Sequence, residues 1–267
     1  MKTRIISGLI MAPLLIVIFI GGPLLKALVL VISVLAVIEF FNVHKKDDVY
    51  ASIPIAVGSA VVLYAMSFLG VDPKFYILWL IASVFACLLY MFNIDKRLTE
   101  DATLTITGII YVIFFAFHIA WITDLEGYEV FVWMVLITAF ITDIAAYFSG
   151  YFFGKYHFFG QDKLCPKISP KKTREGAVGG VFWCALFSAG FGLLFTDGLW
   201  YHCLFMGIIG SIAAQFGDLS ASIFKRKIDV KDYGHLIPGH GGVMDRIDSI
   251  LFTAPVVFWY LQVFVVK

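Results

Sequence analysis

The chain has 267 residues and a net charge of +1; 61% of its residues are hydrophobic and only 15% are charged. Soluble domains carry about 25% charged residues, so the composition excludes an ordinary soluble protein. The near-neutral charge provides no global field that would attract nucleic acid, and we expect no nucleic-acid partner.

Nine apolar runs, taken in chain order, are long enough to cross a bilayer, since a helical span needs about 20 residues. Lipid offers no partners to backbone groups, so each span is predicted to be helical. The predicted spans are 5–21, 24–43, 51–70, 75–93, 102–122, 128–153, 177–196, 199–224 and 243–265. The first run resembles a signal sequence, but no small-residue cleavage site follows it, and we expect it to be retained. The sequence therefore predicts an all-α, polytopic integral membrane protein with about nine transmembrane helices.

Basic residues are distributed unevenly between alternate loops. If the N-terminus is cytoplasmic, only Lys26, Lys74 and Lys267 of the 20 lysines and arginines fall on the outer side. Because inner loops carry the excess of lysine and arginine, this split predicts a cytoplasmic N-terminus and an outside C-terminus.

Two of the predicted inner loops are rich in polar residues. One is residues 154–176, GKYHFFGQDKLCPKISPKKTREG, and the other is residues 225–246, within the stretch KRKIDVKDYGHLIPGHGGVMDRIDS. A loop that only faces anionic lipid would need lysine and arginine clusters and little else. We predict that residues 1–125, which include Glu39, form an N-terminal transmembrane scaffold. Residues 126–267 are predicted to form the catalytic transmembrane region with both cytoplasmic loops.

Two aspartates, Asp143 and Asp218, are predicted to lie inside membrane spans close to the cytoplasmic side. An aspartate within a span costs about 2.5–3.5 kcal/mol on insertion scales, and such residues usually face a wet cavity and mark function. The alternative is a structural aspartate satisfied by a neighbouring helix.

The spacing of polar and small residues favours the wet cavity. Two sets fall on single helical stripes: Ser211, Gln215, Asp218 and Ser222, and Asp143, Tyr147, Gly150 and Gly154. Asp245 and Asp248, three residues apart, share a helix face where the last span begins.

Carboxylates without histidine or cysteine ligands suit hard cations such as Mg²⁺. Neighbouring lysines and arginines are the usual cradle for phosphoryl oxygens. Glycines such as those in PGHGG allow backbone amides to approach an anion. The residues therefore predict metal-assisted phosphoryl or nucleotidyl transfer at the cytoplasmic mouth of a membrane pit, and they do not name the substrates.

The stretch around residues 222–248 closely resembles the signature of the CDP-diacylglycerol synthases, also called phosphatidate cytidylyltransferases. Two further blocks, DIAAYFSGYFFGK (143–155) and ISPKKTREGAVGG (168–180), resemble other segments of that family. Arg174 and Ala221 depart from it, since many members have an apolar residue and a glutamate there. The matching signature residues are Ser222, Lys225, Arg226, Lys231, Asp232, Gly234, Pro238, His240, Gly241, Gly242, Asp245, Arg246 and Asp248.

The resemblance implies that CTP and phosphatidic acid are joined to give CDP-diacylglycerol and pyrophosphate in phospholipid biosynthesis. It further implies Mg²⁺, with a second monovalent or divalent cation left open, a homodimer, and an active site facing the cytoplasm at the cell (inner) membrane.

The resemblance also implies roles for individual residues. Asp218 and Asp245 would be catalytic cation ligands, Asp248 a third ligand, and Asp143 would hold cation or nucleotide. Lys225, Arg226, Lys231 and Arg246 would neutralise triphosphate and pyrophosphate. Ser222, Asp232, Gly241 and Gly242 would bind substrate, and His240 would bind phosphate or shape the loop. The residues expected to clamp substrate phosphates from the other loop are Lys167, Ser169, Lys171, Lys172 and Thr173.

Two other functions compete with this prediction. A CTP-dependent polyprenol or dolichol kinase would transfer the terminal phosphoryl group and release CDP. An ion or phosphate transporter would use the intramembrane aspartates as coupling sites, but it predicts inverted repeats and broken helices, which the sequence does not show.

Overall fold

The computed structural model describes residues 14–156, 158, 163–239 and 241–266. Within these ranges the chain is all-α, as predicted, and its nine helices are joined by turns and short 3₁₀ segments. The helices are α1, described over residues 14–20, α2 Gly22–His44, α3 Ile53–Phe68, α4 Tyr76–Tyr90, α5 Thr99–Thr123, α6 Val132–Phe153, α7 Arg174–Phe195, α8 Trp200–Lys227 and α9 Met244–Phe264.

Seven of the described helices, α2 and α4 to α9, are long and apolar enough to cross a membrane, where α4 is counted from Pro73 because a 3₁₀ turn, Pro73–Phe75, runs directly into it and gives 18 residues. Helix α3 has 16 residues, or about 24 Å at 1.5 Å per residue, which is less than the hydrocarbon thickness of about 30 Å. Most of the predicted first span falls at residues 1–13, outside the described part of the chain. The prediction of a polytopic integral membrane protein is therefore confirmed, with seven of the nine predicted spans present as full-length apolar helices.

The chain divides into two compact units. The first combines the chain up to Asp124 with Lys227–Ile247, and the second combines Leu125–Arg226 with the residues from Asp248 onward. The polar segment 227–247 therefore packs with the N-terminal helices, whereas the polar segment 163–173 belongs to the second unit.

In the first unit, α2 packs closely against the middle of α5. Residues Gly108–Phe114 of α5 form a π-helical stretch, in which each turn holds one more residue than in an α-helix. A methyl group added at Gly108 would lie 2.3 Å from a ring carbon of Phe41 and 2.9 Å from a methyl of Val37. The glycine thus allows α5 to lie directly on the side chains of α2.

In the second unit, small residues bring α6 and α7 together. A methyl group added at Gly176 would lie 2.7 Å from the carbonyl oxygen of Ala146, and one at Gly179 would lie 2.2 Å from the hydroxyl of Ser149. Helix α8 joins this pair through a hydrogen bond of 2.7 Å from the Thr142 hydroxyl to the Ser211 hydroxyl. The close approach fixes the walls of the cavity described next.

Candidate active site

A cavity of about 450 Å³ lies in the second unit between α6, the start of α7 and the polar segment 163–173. The predicted stripe of α6 lines one wall with Asp143, Tyr147 and Gly150. Tyr147 and Tyr151 are 68% and 70% exposed, so the aromatic wall opens onto the outer surface of α6. The polar segment contributes Ser169, Lys171, Lys172 and Thr173.

The polar segment is held in shape by its own backbone. The amide of Leu164 donates to the carbonyl of Lys172 at 3.0 Å, and the amide of Ser169 donates to the carbonyl of Cys165 at 2.9 Å. Thr173 then caps α7, because its hydroxyl accepts a hydrogen bond of 3.0 Å from the amide of Gly176. These bonds place two lysines and two hydroxyls beside one another without help from a ligand.

A group of carboxylates and lysines in the same unit interact with one another. The ammonium of Lys172 is paired with the carboxylate of Asp218 on α8. Asp248 on α9 is only 8% exposed and interacts electrostatically with Asp218, Asp143 and Lys225. Gly217 makes this possible, since a methyl group there would lie 2.5 Å from the carbonyl oxygen of Asp248.

The predicted stripe of α8 faces its neighbours in the second unit. Ser211 is fully buried and accepts the Thr142 hydroxyl, and the side-chain amide of Gln215 donates to the carbonyl of Ala177 at 3.2 Å. Asp218 completes the series with its Lys172 partner, and Ser222 is half-buried one turn further along. Asp218 thus has a partner from another segment, and that partner, Lys172, also lines the cavity.

A second cavity, of about 540 Å³, lies within the first unit along the polar segment 227–247. A tight turn closes one end of it, where the amide of Ile237 donates to the carbonyl of Gly241 at 2.9 Å. Gly239 and Gly241 have φ of 79° and 88°, a backbone conformation that favours glycine. The polar residues of the wall are Lys231, Asp232, His235 and Arg246.

Asp245 shapes this segment from the start of α9. One of its carboxylate oxygens, Oδ2, accepts hydrogen bonds from the amide of Tyr233 at 2.8 Å and from the amide of Gly242 at 3.0 Å. The side chain is buried, with 8% of the residue exposed. This carboxylate therefore organises the backbone of the segment.

Glu39 of α2 contacts the same segment, although its sequence position assigned it to the scaffold. Its Oε2 accepts a hydrogen bond of 3.0 Å from the amide of Met244, and Gly234 and Gly242 pack against the carboxylate. A glutamate in an apolar run needs a partner. No basic residue stands three or four positions from Glu39, so no lysine or arginine of the same helix face can pair with it. The sequence therefore indicates a partner from a distant part of the chain.

The remaining predicted site residues are distributed over both units. In the second unit, Lys225 near the end of α8 is 9% exposed, while Arg226 and Lys167 are exposed. In the first unit, Lys231, Asp232, Gly241 and Arg246 line the cavity, and Gly242 is buried beside it. His240 lies outside the described residues.

Across the described residues, no group of three or more His, Cys, Asp or Glu side chains is arranged to hold a metal ion on its own. Asp143, Asp218 and Asp248 come near one another in the second unit, and carboxylate oxygens are the donors that Mg²⁺ prefers. Mg²⁺ commonly takes only one or two carboxylates and fills its other positions with water and substrate phosphate. The donor set therefore fits Mg²⁺ bound together with a phosphorylated substrate.

The model of the Cytidylyltransferase family matches residues 2–264, nearly the whole chain. The chain belongs to the cytidylyltransferase family. It is 30% identical to the phosphatidate cytidylyltransferase of Thermotoga maritima over 264 residues, which cover 96% of this chain and 94% of that protein. It is 32% identical to the phosphatidate cytidylyltransferase of Bacillus subtilis over 275 residues, covering 99% and 98%.

A further relative matches this chain over a shorter range. The uncharacterized protein YnbB of Escherichia coli is 39% identical over 160 residues, which cover 58% of this chain and 52% of that protein. The two full-length matches confirm the resemblance drawn from the signature residues. They make the chain a cytidylyltransferase-family enzyme of the membrane, homologous to phosphatidate cytidylyltransferases over nearly its full length.

Proposed function

We propose that this protein is a Mg²⁺-dependent CTP:phosphatidate cytidylyltransferase of phospholipid biosynthesis. The observation that carries the proposal is the cavity of the second unit, which is lined by Lys171, Lys172 and exposed tyrosines of α6, and in which Lys172 also pairs with the carboxylate of Asp218. Cationic and hydroxyl groups suit phosphate, an aromatic wall suits a lipid, and a nearby carboxylate suits a cation. The names of the full-length relatives point to the same reaction.

In the proposed reaction, a phosphate oxygen of phosphatidic acid attacks the α-phosphorus of CTP. The bond from that phosphorus to the bridging oxygen of the β-phosphate breaks, and pyrophosphate leaves with the electron pair. The nucleophile needs little help from a base, because a phosphate monoester has a second pKa of about 6 and is mostly dianionic near pH 7. The main obstacle is the repulsion between two anions.

The basic residues address this repulsion. Lys171 and Lys172, with Ser169 and Thr173, would hold substrate phosphate in the cavity where the transfer occurs, and the exposed Lys167 of the same segment would assist them. Fixed positive groups aimed at developing charge stabilise a transition state without reorganisation. Lys225, Arg226, Lys231 and Arg246 would carry the charge of the triphosphate and of the departing pyrophosphate, and Ser222, Asp232, Gly241, Gly242 and His240 would complete substrate binding.

The acidic residues would hold the metal. Asp218, Asp245 and Asp248 are the proposed Mg²⁺ ligands, and Asp143 would bind cation or nucleotide; a second cation is compatible with this number of carboxylates. When bound, Mg²⁺ would neutralise phosphoryl oxygens and orient the triphosphate. The Asp218 carboxylate is paired with Lys172, so a bound cation would compete with that lysine.

The lipid and the nucleotide would arrive from different phases. The exposed rings of Tyr147 and Tyr151 lie on a membrane-spanning helix, while Lys171 belongs to a polar loop open to water. The proposed topology puts this loop on the cytoplasmic side of the cell membrane, where CTP is present. The proposal also includes a homodimer, which chemical cross-linking in intact membranes would test.

The deciding experiment supplies purified protein with α-³²P-labelled CTP and phosphatidic acid, with and without Mg²⁺. We expect label in a lipid product and release of pyrophosphate only when lipid and Mg²⁺ are both present. Release of CDP with a polyprenol acceptor would instead identify a kinase. Uptake of labelled ion or phosphate into proteoliposomes independently of CTP would identify a transporter. Either of these two results, without labelled CDP-lipid, would overturn the proposal.

The site assignment has its own test in Asp218→Asn and Asp245→Asn. Each change keeps the size of the side chain and removes the negative charge that a cation requires. We expect both variants to lose turnover while the helical circular dichroism and the gel-filtration profile stay unchanged. Near-normal turnover in either variant would remove that residue from the proposed metal site.

A further inference from the structure

Glu39 is the acidic residue of α2 whose carboxylate lies among backbone amides of the polar segment 227–247. Its Oε2 accepts a hydrogen bond of 3.0 Å from the amide of Met244, 205 positions away in the chain. A second amide, that of Val243, also donates to the carboxylate, which interacts electrostatically with Asp245 and His235 as well. One side chain of α2 therefore receives the two amides that lead into α9.

Glu39 and Asp245 accept hydrogen bonds from different backbone amides of this segment. Glu39 takes the amides of Val243 and Met244, and Asp245 takes the amides of Tyr233 and Gly242. A buried backbone amide without a hydrogen-bond acceptor destabilises the fold, so both carboxylates stabilise this conformation of the segment. Removing Glu39 would release the residues immediately before Asp245.

Two glycines of the signature fit around Glu39. A methyl group added at Gly234 would lie 2.5 Å from Oε1, and its next nearest contacts are also atoms of Glu39. A methyl group at Gly242 would lie 2.3 Å from Oε2. No carbon atom can approach that closely, so the glycines allow the segment to close on the carboxylate.

We infer that Glu39 is a positioning residue for cytidylyl transfer: it fixes the segment 232–244 so that Asp245 and the cavity residues Lys231 and Arg246 keep their places for the substrate. Glu39 does not need to touch substrate or metal for this. The inference rests on the proposed function for its effect on turnover, whereas its effect on the segment can be measured without any reaction.

The first experiment compares Glu39→Ala, Glu39→Gln and the wild type in the labelled-CTP assay. Loss of a residue that orients a metal-ligating side chain typically lowers activity or metal affinity by roughly 10–100-fold. We therefore expect kcat/KM to fall by that factor in Glu39→Ala. The Mg²⁺ concentration that gives half-maximal rate should also rise. Glu39→Gln keeps one acceptor oxygen and should recover part of the loss. Equal, wild-type turnover in both variants would overturn the inference.

A matched control separates positioning from general stability. Asp101 is also a buried carboxylate of the first unit that accepts backbone amides, from Tyr50 at 2.6 Å and Leu98 at 3.1 Å. Asp101→Asn should lower the melting temperature and leave kcat of the folded protein within about twofold of wild type, since it holds a different loop. If the Glu39 variants behave like Asp101→Asn, Glu39 is only a structural residue and the inference is wrong.

Hydrogen exchange followed by mass spectrometry supplies the readout that needs no activity. We expect Glu39→Ala to speed exchange in peptides covering 229–247, while peptides covering 163–173 keep the wild-type rate. Unchanged exchange in 229–247 would overturn the inference. If the wild type makes no CDP-lipid, the proposed function fails on its own, and the exchange result still decides whether Glu39 holds the segment.

A double-mutant cycle with Gly234→Ala tests the contact itself. Alone, Gly234→Ala should lower turnover and speed exchange, because its methyl group would collide with Glu39. In the Glu39→Ala background the collision partner is gone, so Gly234→Ala should add less than a threefold further loss. Fully additive losses would show that the two residues act separately and would contradict the inference.

Discussion

The ammonium of Lys172 is paired with the carboxylate of Asp218, which joins the polar segment 163–173 to the membrane-spanning helix α8. The two side chains are 28% and 27% exposed, so water reaches both. In the proposed reaction, a cation would replace the lysine at Asp218, and a substrate phosphate would replace the aspartate at Lys172. The pair therefore holds the Asp218 carboxylate in place for the proposed cation and the Lys172 ammonium in place for the proposed substrate phosphate.

The pair should behave as one functional unit. Lys172→Met is expected to lower kcat/KM for CTP and phosphatidic acid by roughly 100-fold, in the range seen when one preorganised electrostatic group is lost. Asp218→Asn should abolish turnover, and the double variant should be no worse than Asp218→Asn because groups that act together are not additive. The labelled-CTP assay measures all three.

Lys163→Met is the matched control, because it removes the same charge from an exposed position of the same segment. It should retain wild-type turnover. If Lys163→Met and Lys172→Met lose turnover equally, the general charge of the loop matters and the specific pairing does not.

The apolar runs predicted the helices well because hydropathy records what lipid requires of a chain. The run 102–122 is helix Thr99–Thr123, and the run 199–224 is helix Trp200–Lys227. The π-helical stretch Gly108–Phe114 was not predicted, since it is a change of hydrogen-bond register that hydropathy does not record. The positive-inside orientation and the nine crossings stay predictions.

The candidate site was predictable where residues stand on one helix or in one motif. Asp143, Tyr147 and Gly150 were expected on one face, and they do line one wall. The partners of Glu39 could not be predicted, because they are main-chain amides that every sequence contains. What the sequence did show was an acidic residue in an apolar run without a basic neighbour.

Thr173 is expected to matter for both stability and turnover. Its hydroxyl caps α7 by accepting the amide of Gly176 at 3.0 Å, and the residue also lines the cavity. Thr173→Val keeps the shape and removes the acceptor, so it should cost about 0.5–2 kcal/mol of stability and lower turnover. Thermal unfolding in detergent and the labelled-CTP assay are the two measurements.

Thr173→Ser keeps the hydroxyl, and it should keep both the cap and most of the turnover. The Thr173 hydroxyl lies close to Gly150, where an added methyl group would come within 2.8 Å of it. Serine keeps this hydroxyl and is smaller than threonine, so it fits at the same position without strain. If Thr173→Ser loses as much as Thr173→Val, the methyl group and not the hydroxyl is what the site requires.

Gly108 should tolerate no side chain, because α5 rests on α2 at this point. Gly108→Ala would place a carbon 2.3 Å from the ring of Phe41, and overpacking of this kind costs about 1–3 kcal/mol. Gly58 of α3 is the control, since a methyl group there meets nothing within 4 Å. Gly58→Ala should leave the melting temperature unchanged or raise it, as alanine loses less entropy in a helix. Equal melting temperatures for the two variants would contradict this account of the α2–α5 contact.

Lys26 is a basic residue buried in the apolar helix α2. Its ammonium pairs with Asp124 and donates a hydrogen bond of 2.9 Å to Ser67, whose hydroxyl donates to Asp124 at 3.1 Å. The lysine side chain is 8% exposed and that of Asp124 is 44% exposed, so solvent screens the pair on one side only. Removing the aspartate would leave a buried ammonium with a weaker partner.

Asp124→Ala should therefore destabilise the protein by about 1–2 kcal/mol, toward the low end for a lost charged partner because of the screening. Lys26→Met should cost less, since it removes the charge and keeps an apolar stem, and the double variant should be more stable than Asp124→Ala. The exposed pair Lys74–Asp72 is the control, and Lys74→Ala should show no measurable change in melting temperature, since it removes an exposed charge and leaves Asp72 to accept the backbone amide of residue 74. If Lys26→Met proves as harmful as Asp124→Ala, the energy comes from packing of the lysine stem and not from the burial of its charge.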